Sequence, residues 1–392
     1  MNATRGALIL AVLCALVLIA ARPAQAQTET VLYNFTGSPD GAWPESRLTS
    51  DGADNLYGTT VVGGLWGGGT VFELSPNGDG GWNENVLYSF TGGADGSNPT
   101  YSYVIFDSAG NLYGTAANGG ANGYGVVFEL SPAGAGWKET ALYSFANDGD
   151  GANPANGLIM DPAGNLYGTT QAGGVGNYGT VFELSPSGGG WTEQVIDTYA
   201  EGYAGLSMDA AGNLFGVTYC CVFELSPNGN GGWNKTFIHT FAGPPKDGSG
   251  PESAPVPDQA GNLYGTTWDG GHKNRGTVYR LSNPKKRKKW SYKILWSFRG
   301  GADGGFPWAG IVLDTAGNLY GTTTYFGKAG SGTVFELVGG YTEKTLSDLD
   351  GIDPFGSLIL DNAGDLYGTT YYGGLKGGCG GPGCGDVFEV IP

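Results

Sequence analysis

Histidine and positive charge are both scarce in this chain of 392 residues. Its two histidines, His239 and His272, are too few for any mechanism that needs a cluster of imidazoles, a zinc site included. Lysine and arginine number 19 against 36 aspartates and glutamates, so the net charge is −17. Because an acidic chain repels phosphate groups, this field argues against nucleic acid and anionic membranes as partners.

Long apolar runs are missing after the first 26 residues. Arg5 gives a positive start, residues 7–21 are apolar, and Ala24-Gln25-Ala26 forms a small-x-small cleavage site. The alternative is a membrane anchor, but a span needs about 20 apolar residues and this run is shorter. We therefore expect residues 1–26 to be a cleaved signal peptide. The mature chain, residues 27–392, would be secreted, periplasmic or on the cell surface, with no transmembrane segment.

Glycine and aromatic residues are abundant and regularly placed. Glycine accounts for 75 residues, aromatics for 12%, and three sequence blocks each recur seven times. A fixed period of this length dictates the architecture before any other feature does. The GNLYGTT-type block occupies residues 54–60, 110–116, 164–170, 212–218, 261–267, 317–323 and 364–370. Each is followed by a block of the GTVFELSP type and, in the first six copies, by one of the VLYSF type; the seventh VLYSF-type block, VLYNF at 31–35, precedes the first repeat.

Each repeat predicts four strands joined by tight turns. In one copy they are GLIMD 157–161, NLYGTT 165–170, TVFELS 180–185 and VIDTY 195–199. These runs are rich in β-branched and aromatic residues and are bounded by Gly, Pro, Asn and Asp. Four strands in a unit of about 50 residues are typical of a propeller blade. The fold class is therefore predicted as all-β, a seven-bladed β-propeller over residues 27–392.

The order of blocks at the two ends predicts how the ring closes. The mature chain begins with an outermost-type strand, VLYNF at 31–35, and ends on a third-type strand within 385–392. We expect the N-terminal strand to join the last blade as its outermost strand. This pairing would hide sheet edges that otherwise promote aggregation.

The repeat unit GNLYGTT…GG…GTVFELSP…GGGW…VLYSF…DG resembles the GloVer tandem repeat of exported bacterial "choice-of-anchor" proteins. The resemblance covers essentially the whole mature chain. It implies propeller architecture and export, without any specific chemistry. Relatives often carry a C-terminal sorting anchor, whereas this chain ends at Pro392 after its last predicted strand, which favours free secretion. The Asp-x-x-Gly-Asn-Leu turn also resembles that of NHL and lactonase-type propellers.

Two sets of acidic residues recur with the repeats. A glutamate on the third strand is expected to accept hydrogen bonds from the neighbouring blade: Glu73, Glu129, Glu183, Glu224, Glu336 and Glu389. An aspartate begins each Asp-Gly-x-x-Pro loop, on the face expected to be functional: Asp40, Asp95, Asp150, Asp247, Asp303 and Asp350. These aspartates are weak candidates for Ca²⁺ ligands around the channel mouth. The alternative is that each simply caps its own turn.

Aromatic residues that differ between repeats lie in the loops of the same face. They are Trp43, Trp66, Tyr178, Trp268, Trp308, Tyr325 and Tyr372. Exposed rings of this kind stack on sugars or anchor protein partners, so they are the candidate ligand-binding residues. Packing against neighbouring loops is the alternative.

The fourth repeat and the cysteines depart from the pattern. In repeat four, Tyr219-Cys220-Cys221 replaces the Gly-rich loop, which predicts a notch in the rim that is either a ligand entrance or a decayed repeat. A bond between the adjacent cysteines would be strained. Cys379 and Cys384 bracket Gly-Gly-Pro-Gly and are predicted to form a local disulfide in an oxidising compartment. The basic island at 285–289 is either a docking point for an anionic envelope polymer or a solvated turn.

Two functions are compatible with these features. The first is a monomeric, non-catalytic binding or scaffold protein whose loop face takes a polysaccharide or an envelope or extracellular protein. The second is a metal-dependent propeller enzyme, lactonase- or lyase-like, with carboxylates at the channel mouth. Enzymes need an asymmetric set of acid, base and orienting groups. Because the sequence identifies no such set, binding is the preferred function.

Overall fold

The computed structural model describes residues 29–134, 136–198, 204–284, 289–339, 342–374, 379 and 381–392. Apart from a 3-10 turn at Val175–Asn177, the regular structure in these ranges is β. Seven four-stranded antiparallel sheets form a ring, which confirms the predicted seven-bladed propeller. None of the described segments is a helix long and apolar enough to span a bilayer.

Each blade runs from a short strand at the central channel to a long strand at the rim. From the channel outwards, blade 1 contains Thr49–Ser50, Leu56–Thr60, Thr70–Pro76 and Trp82–Ser89. Blade 2 contains Ile105–Phe106, Leu112–Ala116, Val126–Ala133 and Gly136–Ser144. Blade 3 contains Ala152–Met160, Leu166–Ala172, Val181–Ser187 and Gly190–Asp197. Blade 4 contains Ser207–Met208, Leu214–Thr218, Cys221–Pro227 and Trp233–Thr240. Blade 5 contains Val256–Pro257, Leu263–Thr267, Thr277–Ser282 and Ser291–Ser297. Blade 6 contains Val312–Leu313, Leu319–Thr323, Thr333–Val338 and Thr342–Asp348. Blade 7 contains Ile359–Leu360, Leu366–Thr370, Asp386–Val390 and Glu29–Asn34.

The N-terminal strand closes the ring. Glu29–Asn34 pairs antiparallel with Asp386–Val390, so the outermost strand of blade 7 comes from the opposite end of the chain. The predicted closure is therefore confirmed. The hydroxyl of Thr369 in blade 7 also donates a 2.9 Å hydrogen bond to the carbonyl of Ser46 at the start of blade 1.

A glycine and a phenylalanine on adjacent strands form the centre of each blade. Gly168 lies opposite Phe182 in the strand register. A Cβ atom added at Gly168 would lie 2.5 Å from the Phe182 ring, so the ring occupies the space that any larger side chain would need. The same relation holds for Gly58 and Phe72, and Tyr279 replaces the phenylalanine in blade 5. The glycine of the NLYGTT block is thus required by packing, since its φ is not positive.

Hydrogen bonds from the first threonine of the Gly-Thr-Thr sequence join consecutive blades. Its hydroxyl donates to a backbone carbonyl at the start of the next blade, for example from Thr115 to Asn156 at 2.8 Å and from Thr266 to Ala309 at 2.8 Å. In blade 4 this position is Val217, which has no hydroxyl. The junction after blade 4 therefore lacks a bond that the other six junctions contain.

The recurrent glutamates contact their own blade, which corrects one expectation. Glu73 accepts a 2.8 Å hydrogen bond from the hydroxyl of Tyr57 on the adjacent strand of blade 1. Glu183 and Glu336 accept from Tyr167 and Tyr320 in the same way, at 3.3 and 3.2 Å. The donors thus lie in the same blade and not in the neighbouring one. Besides the threonine hydrogen bonds, contact between blades is made by rings such as Phe90 and Phe128, whose centroids are 5.1 Å apart.

We predict that Gly168→Ala lowers the free energy of unfolding by about 1–3 kcal/mol, because overpacking a filled core costs about this much. Gly136→Ala is the matched control: Gly136 also lies in a strand, but an added Cβ would meet nothing within 4 Å. Urea unfolding of both variants measures the difference. Equal stability of the two variants would contradict the packing role of Gly168.

Candidate functional site

Five of the six loop aspartates, all but Asp350, accept hydrogen bonds from their own loops. Asp40 accepts hydrogen bonds from the backbone of Thr36 and Gly41 and from the hydroxyl of Tyr33. Asp150 accepts from Tyr143 and from the backbone of Ala146. None of the six lines the central cavity, so the structure does not place them around the channel mouth as we expected. The described residues contain no group of three or more His, Cys, Asp or Glu side chains able to hold a metal ion.

Five of the seven candidate aromatic residues belong to one continuous cluster on the loop face. Ring centroids are 5.3 Å apart for Trp268 and Trp308 and 5.9 Å apart for Trp268 and Tyr325. Trp43 lies 6.4 Å from Tyr372. The two groups are joined by Tyr371 and Phe355, which the sequence analysis did not single out: the contacts run from Trp43 to Tyr371 at 5.5 Å, Tyr371 to Phe355 at 5.8 Å and Phe355 to Trp308 at 5.4 Å.

The remaining two candidates lie apart from this cluster. Trp66 is 68% exposed on the loop of blade 1 and lines neither the central cavity nor the groove at blade 4. Tyr178 is 51% exposed and lines that groove.

Phe306 also belongs to the cluster, since its ring centroid lies 5.1 Å from that of Trp268. Phe306 and Trp43 have an unfavourable backbone conformation. Trp43 has φ of 62° and Phe306 has φ of 59°, and each precedes the proline of its loop. Bulky residues rarely adopt positive φ, and such strain costs about 1–3 kcal/mol per residue. Asn98 and Asn153 take the same conformation at equivalent positions, where asparagine tolerates it better. Strain of this kind is typical of functional sites, which supports a role for Trp43 and Phe306 beyond filling space.

Aromatic side chains from opposite sides of the propeller meet over the central channel. Tyr101 of the loop before blade 2 stacks on Trp308 of the loop before blade 6, with centroids 6.3 Å apart, and its ring lies 6.2 Å from that of Phe355. All three residues line a central cavity of about 490 Å³ to which the inner segments of all seven blades contribute. The mouth of the channel is therefore aromatic and asymmetric.

Charged groups line the same cavity. Glu45 is 8% exposed, and its Oε2 is buried without a hydrogen-bond partner. The guanidinium of Arg47 lies 3.9 Å from the centroid of the Tyr103 ring, and its Nε also has no partner. Burial raises the pKa of Glu45 to about 7, against the opposing effect of the backbone hydrogen bond from Tyr101. Burial and then the charge of Asp269 raise the pKa of Glu252 to about 7. The cavity thus offers acceptors and donors beneath aromatic rings.

A groove lies where blade 4 lacks its long loop. It has a volume of about 470 Å³ and is lined by Tyr178, Tyr219 and Val217, among others. Tyr219 is 74% exposed. Trp308 and Glu252 line both this groove and the central cavity, so the two spaces are adjacent. Loop residues 199–203, where blade 4 departs from the Asp-Gly-x-x-Pro pattern, lie outside the described residues.

The four cysteines among the described residues form two local pairs. Cys379 and Cys384 are disulfide-bonded with Cα atoms 5.4 Å apart, within the limit of about 7 Å for a bridge without backbone movement. Cys220 and Cys221 are also paired, beside the groove, with Cα atoms 3.8 Å apart. Residues 285–288 of the basic island lie outside the described residues.

One sequence signal could have identified the channel residues. The residue directly after the loop proline is Glu45, Ala155, Glu252, Trp308 or Phe355, so this position varies while its surroundings repeat. Structural symmetry does not explain such variation. Tyr101 was harder to identify, because blade 2 has one additional residue between its proline and its inner strand.

The fold and site define a seven-bladed β-propeller with an asymmetric aromatic mouth. The chain belongs to the Gloeobacter/Verrucomicrobia repeat family, whose model matches residues 79–220 and 218–390, and the resemblance inferred from the repeats is confirmed. No functionally curated protein matches the chain.

Solved structures share the fold at low sequence identity. A streptogramin B lyase superposes with a TM-score of 0.57 at 13% identity, covering 94% of this chain and 99% of the lyase. A luciferin-regenerating enzyme has a TM-score of 0.48 at 12% identity, covering 93% and 95% of the two chains. A gluconolactonase from Xanthomonas campestris has a TM-score of 0.43 at 12% identity, covering 93% and 89%. At these identities the comparisons show the fold alone.

We predict that Glu45→Gln stabilises the protein at pH 8 but has little effect near pH 4.5. Folding raises the pKa of the Glu45 carboxyl from about 4.5 to about 7. The wild type therefore loses stability as the pH rises between these two values, because the unfolded chain releases this proton more readily than the folded protein does. Glutamine does not titrate and escapes this loss. Urea unfolding of both proteins at the two pH values measures the effect, and a difference independent of pH would refute it.

Proposed function

We propose that this protein is an exported, non-catalytic binding propeller whose ligand is a polysaccharide. The ligand would lie on the loop face, along the groove at blade 4 and over the aromatic mouth of the channel. The observation that carries this proposal is that the two spaces adjoin at Trp308 and Glu252. Two adjoining recesses on one face suit a chain-like ligand better than a compact one.

The chemistry of the lining suits sugars. Pyranose rings present apolar faces that stack on aromatic side chains, while their hydroxyls need hydrogen-bonding partners. Tyr178, Tyr219 and Trp308 supply aromatic faces along the groove. Glu45, Glu252 and Arg47 supply polar groups at the mouth. Binding pockets commonly combine a mainly apolar lining with a few polar groups in this way.

The predicted export of the protein supports a polysaccharide ligand. The features of residues 1–26 indicate a signal peptide. Outside the cell or in the envelope, polysaccharides are an abundant class of ligand for such a surface. The acidic net charge favours neutral polysaccharides over polyanions, since like charges repel.

We predict that Tyr178→Ala combined with Tyr219→Ala weakens binding by about tenfold or more, since truncated aromatic anchors often cost about 2 kcal/mol each. The mature protein would first be screened by affinity electrophoresis against neutral plant and envelope polysaccharides, including xyloglucan and mixed-linkage glucan. The affinity of the double variant would then be measured on each polysaccharide retained. Both side chains are largely exposed, so the thermal midpoint should change little.

Trp66→Ala is the matched control. Trp66 is an exposed ring on the same face but outside the groove, so its loss should leave affinity unchanged. Equal loss of binding in Trp66→Ala would place the ligand elsewhere on the loop face. Failure of all neutral polysaccharides to bind would refute the proposed ligand class.

A second candidate function rests on Glu45. A buried carboxyl with a pKa of about 7, lining a cavity beside Arg47, could transfer protons at neutral pH. This observation favours an enzyme that acts on a small molecule in the channel, lactonase- or lyase-like, and a streptogramin B lyase has the same fold. The candidate differs from the first in needing a small substrate and turnover.

We predict that, if this second function holds, the mature protein opens lactone substrates and Glu45→Gln lowers kcat by about 100-fold, the lower end of general acid–base contributions. The assay follows ring opening at pH 7 with and without EDTA, which tests metal dependence. Unchanged turnover in Glu45→Gln would exclude Glu45 as the acid–base group. No turnover of any substrate leaves the binding function as the better account.

A further inference from the structure

One position beside the innermost strand departs from the repeat in two blades. It lies four residues before the aspartate that follows each innermost strand, and it is Arg47 in blade 1 and Tyr103 in blade 2. In the other five blades the residue is small: Gly157, Gly205, Ala254, Gly310 and Ser357. All of these positions except Gly157 line the central cavity. A long cationic side chain therefore lies in the lining at a position where most blades leave open space.

An aromatic ring holds the Arg47 side chain in place. The guanidinium lies 3.9 Å from the centroid of the Tyr103 ring, which is a cation–π contact. The Tyr103 ring in turn packs on Gly157, where an added Cβ atom would overlap the ring carbons. Three neighbouring blades therefore position this charge, and none of the contacts that do so involves a carboxylate.

The charge of Arg47 is not paired within the described part of the chain. Arg47 is the only basic residue among the described residues that line the cavity, and the ion pairs between described residues do not include it. Glu45 lines the same cavity, but its Oε2 and the Nε of Arg47 are both buried without a hydrogen-bond partner, so these two atoms are not bonded to each other. A buried guanidinium N–H needs an acceptor to offset its lost hydration.

Apolar side chains line the same cavity. The rings of Tyr101, Trp308 and Phe355 lie at its mouth. Aliphatic side chains of three innermost strands also contribute to the lining: Val256, Val312 and Ile359. The volume of about 490 Å³ is within the range of about 300–1,000 Å³ that is usual for small-molecule pockets. The cavity therefore suits a small molecule that has an apolar body and one anionic group.

We propose that the central channel binds a small aromatic monocarboxylate, with the carboxylate on the guanidinium of Arg47 and the ring against the aromatic side chains of the mouth. The planar guanidinium presents its N–H donors in a fork that matches the two oxygens of a carboxylate. The rings of Trp308 and Phe355 offer faces and edges to an aromatic ligand. This ligand would lie in the channel, and its binding does not rest on the polysaccharide proposed for the groove at blade 4.

Two carboxyl groups of the lining would repel an anion when they are ionised. Burial raises the pKa of Glu45 to about 7, and burial together with the charge of Asp269 raises that of Glu252 to about 7. Both groups are therefore mainly protonated at pH 6, whereas Arg47 keeps its charge at any pH of interest. Acidic groups on the outer surface oppose an anion less, because salt at physiological strength screens charges over about 8 Å.

The test uses the mature protein, residues 27–392, in isothermal titration calorimetry at pH 6. We expect benzoate and 4-hydroxycinnamate each to bind with one equivalent. Benzamide has the ring of benzoate without its charge and should bind about tenfold more weakly, since hydrogen bonds between charged groups are about twice as strong as neutral ones. Acetate, which lacks the ring, should also bind more weakly than benzoate. Arg47→Met should weaken benzoate binding about tenfold and remove the preference for benzoate over benzamide.

Arg299→Met is the matched control. Arg299 also stacks on a ring, 5.2 Å from that of Trp296, but does not line the cavity, so benzoate binding should be unchanged. Gly205→Leu repeats the test if Arg47→Met does not fold. It fills part of the cavity while its Cβ would lie 3.4 Å from Asn156, an ordinary contact, and it should also reduce benzoate binding. No binding of either aromatic carboxylate, equal affinity for benzoate and benzamide, or full benzoate binding in both cavity variants would overturn the proposal.

Discussion

The contact between a glycine and an aromatic ring on adjacent strands is the constraint on which this propeller depends. Only a residue without a side chain allows Phe182 to lie across the strand of Gly168, and the arrangement recurs in every blade. Further rings from the outermost strands then pack against these phenylalanines across the blade junctions, as Phe90 does on Phe128. The sequence repeats NLYGTT and VFELSP because all seven blades use this same packing contact.

Because the framework is regular, the residues of the loop face can differ from blade to blade. Because the core of each blade is formed by its middle strands, the residues after each loop proline can be Glu45, Ala155, Glu252, Trp308 or Phe355 without cost to the core. Blade 4 extends this freedom, since losing its long loop opens the groove beside Tyr219. Repetition therefore supplies stability, and departures from repetition supply the asymmetric surface that recognition requires.

The fold could be predicted almost completely because its signals are local and repeated. Strand boundaries follow from turn residues, and the closing strand follows from the order of the blocks. The site was predicted only in part. Trp268, Trp308 and Tyr325 were identified as variable loop residues. The cluster also depends on Phe355, at the variable position after a loop proline, and on Tyr371, which resembles an ordinary loop residue in sequence. The aspartates were assigned to the channel mouth because loop sequence alone does not indicate which side of a loop faces the rim.

The pairing of Glu29–Asn34 with Asp386–Val390 has a consequence for how the chain reaches its folded state. The strand synthesised first must wait for its partner, which is synthesised last, so ring closure is the contact of highest sequence separation in the molecule. Loop-closure entropy opposes such a contact until the intervening blades have formed. During that interval the edge of the last blade is open to pairing with other chains. The chain is therefore most open to association with other chains during its synthesis, and far less once the ring is closed.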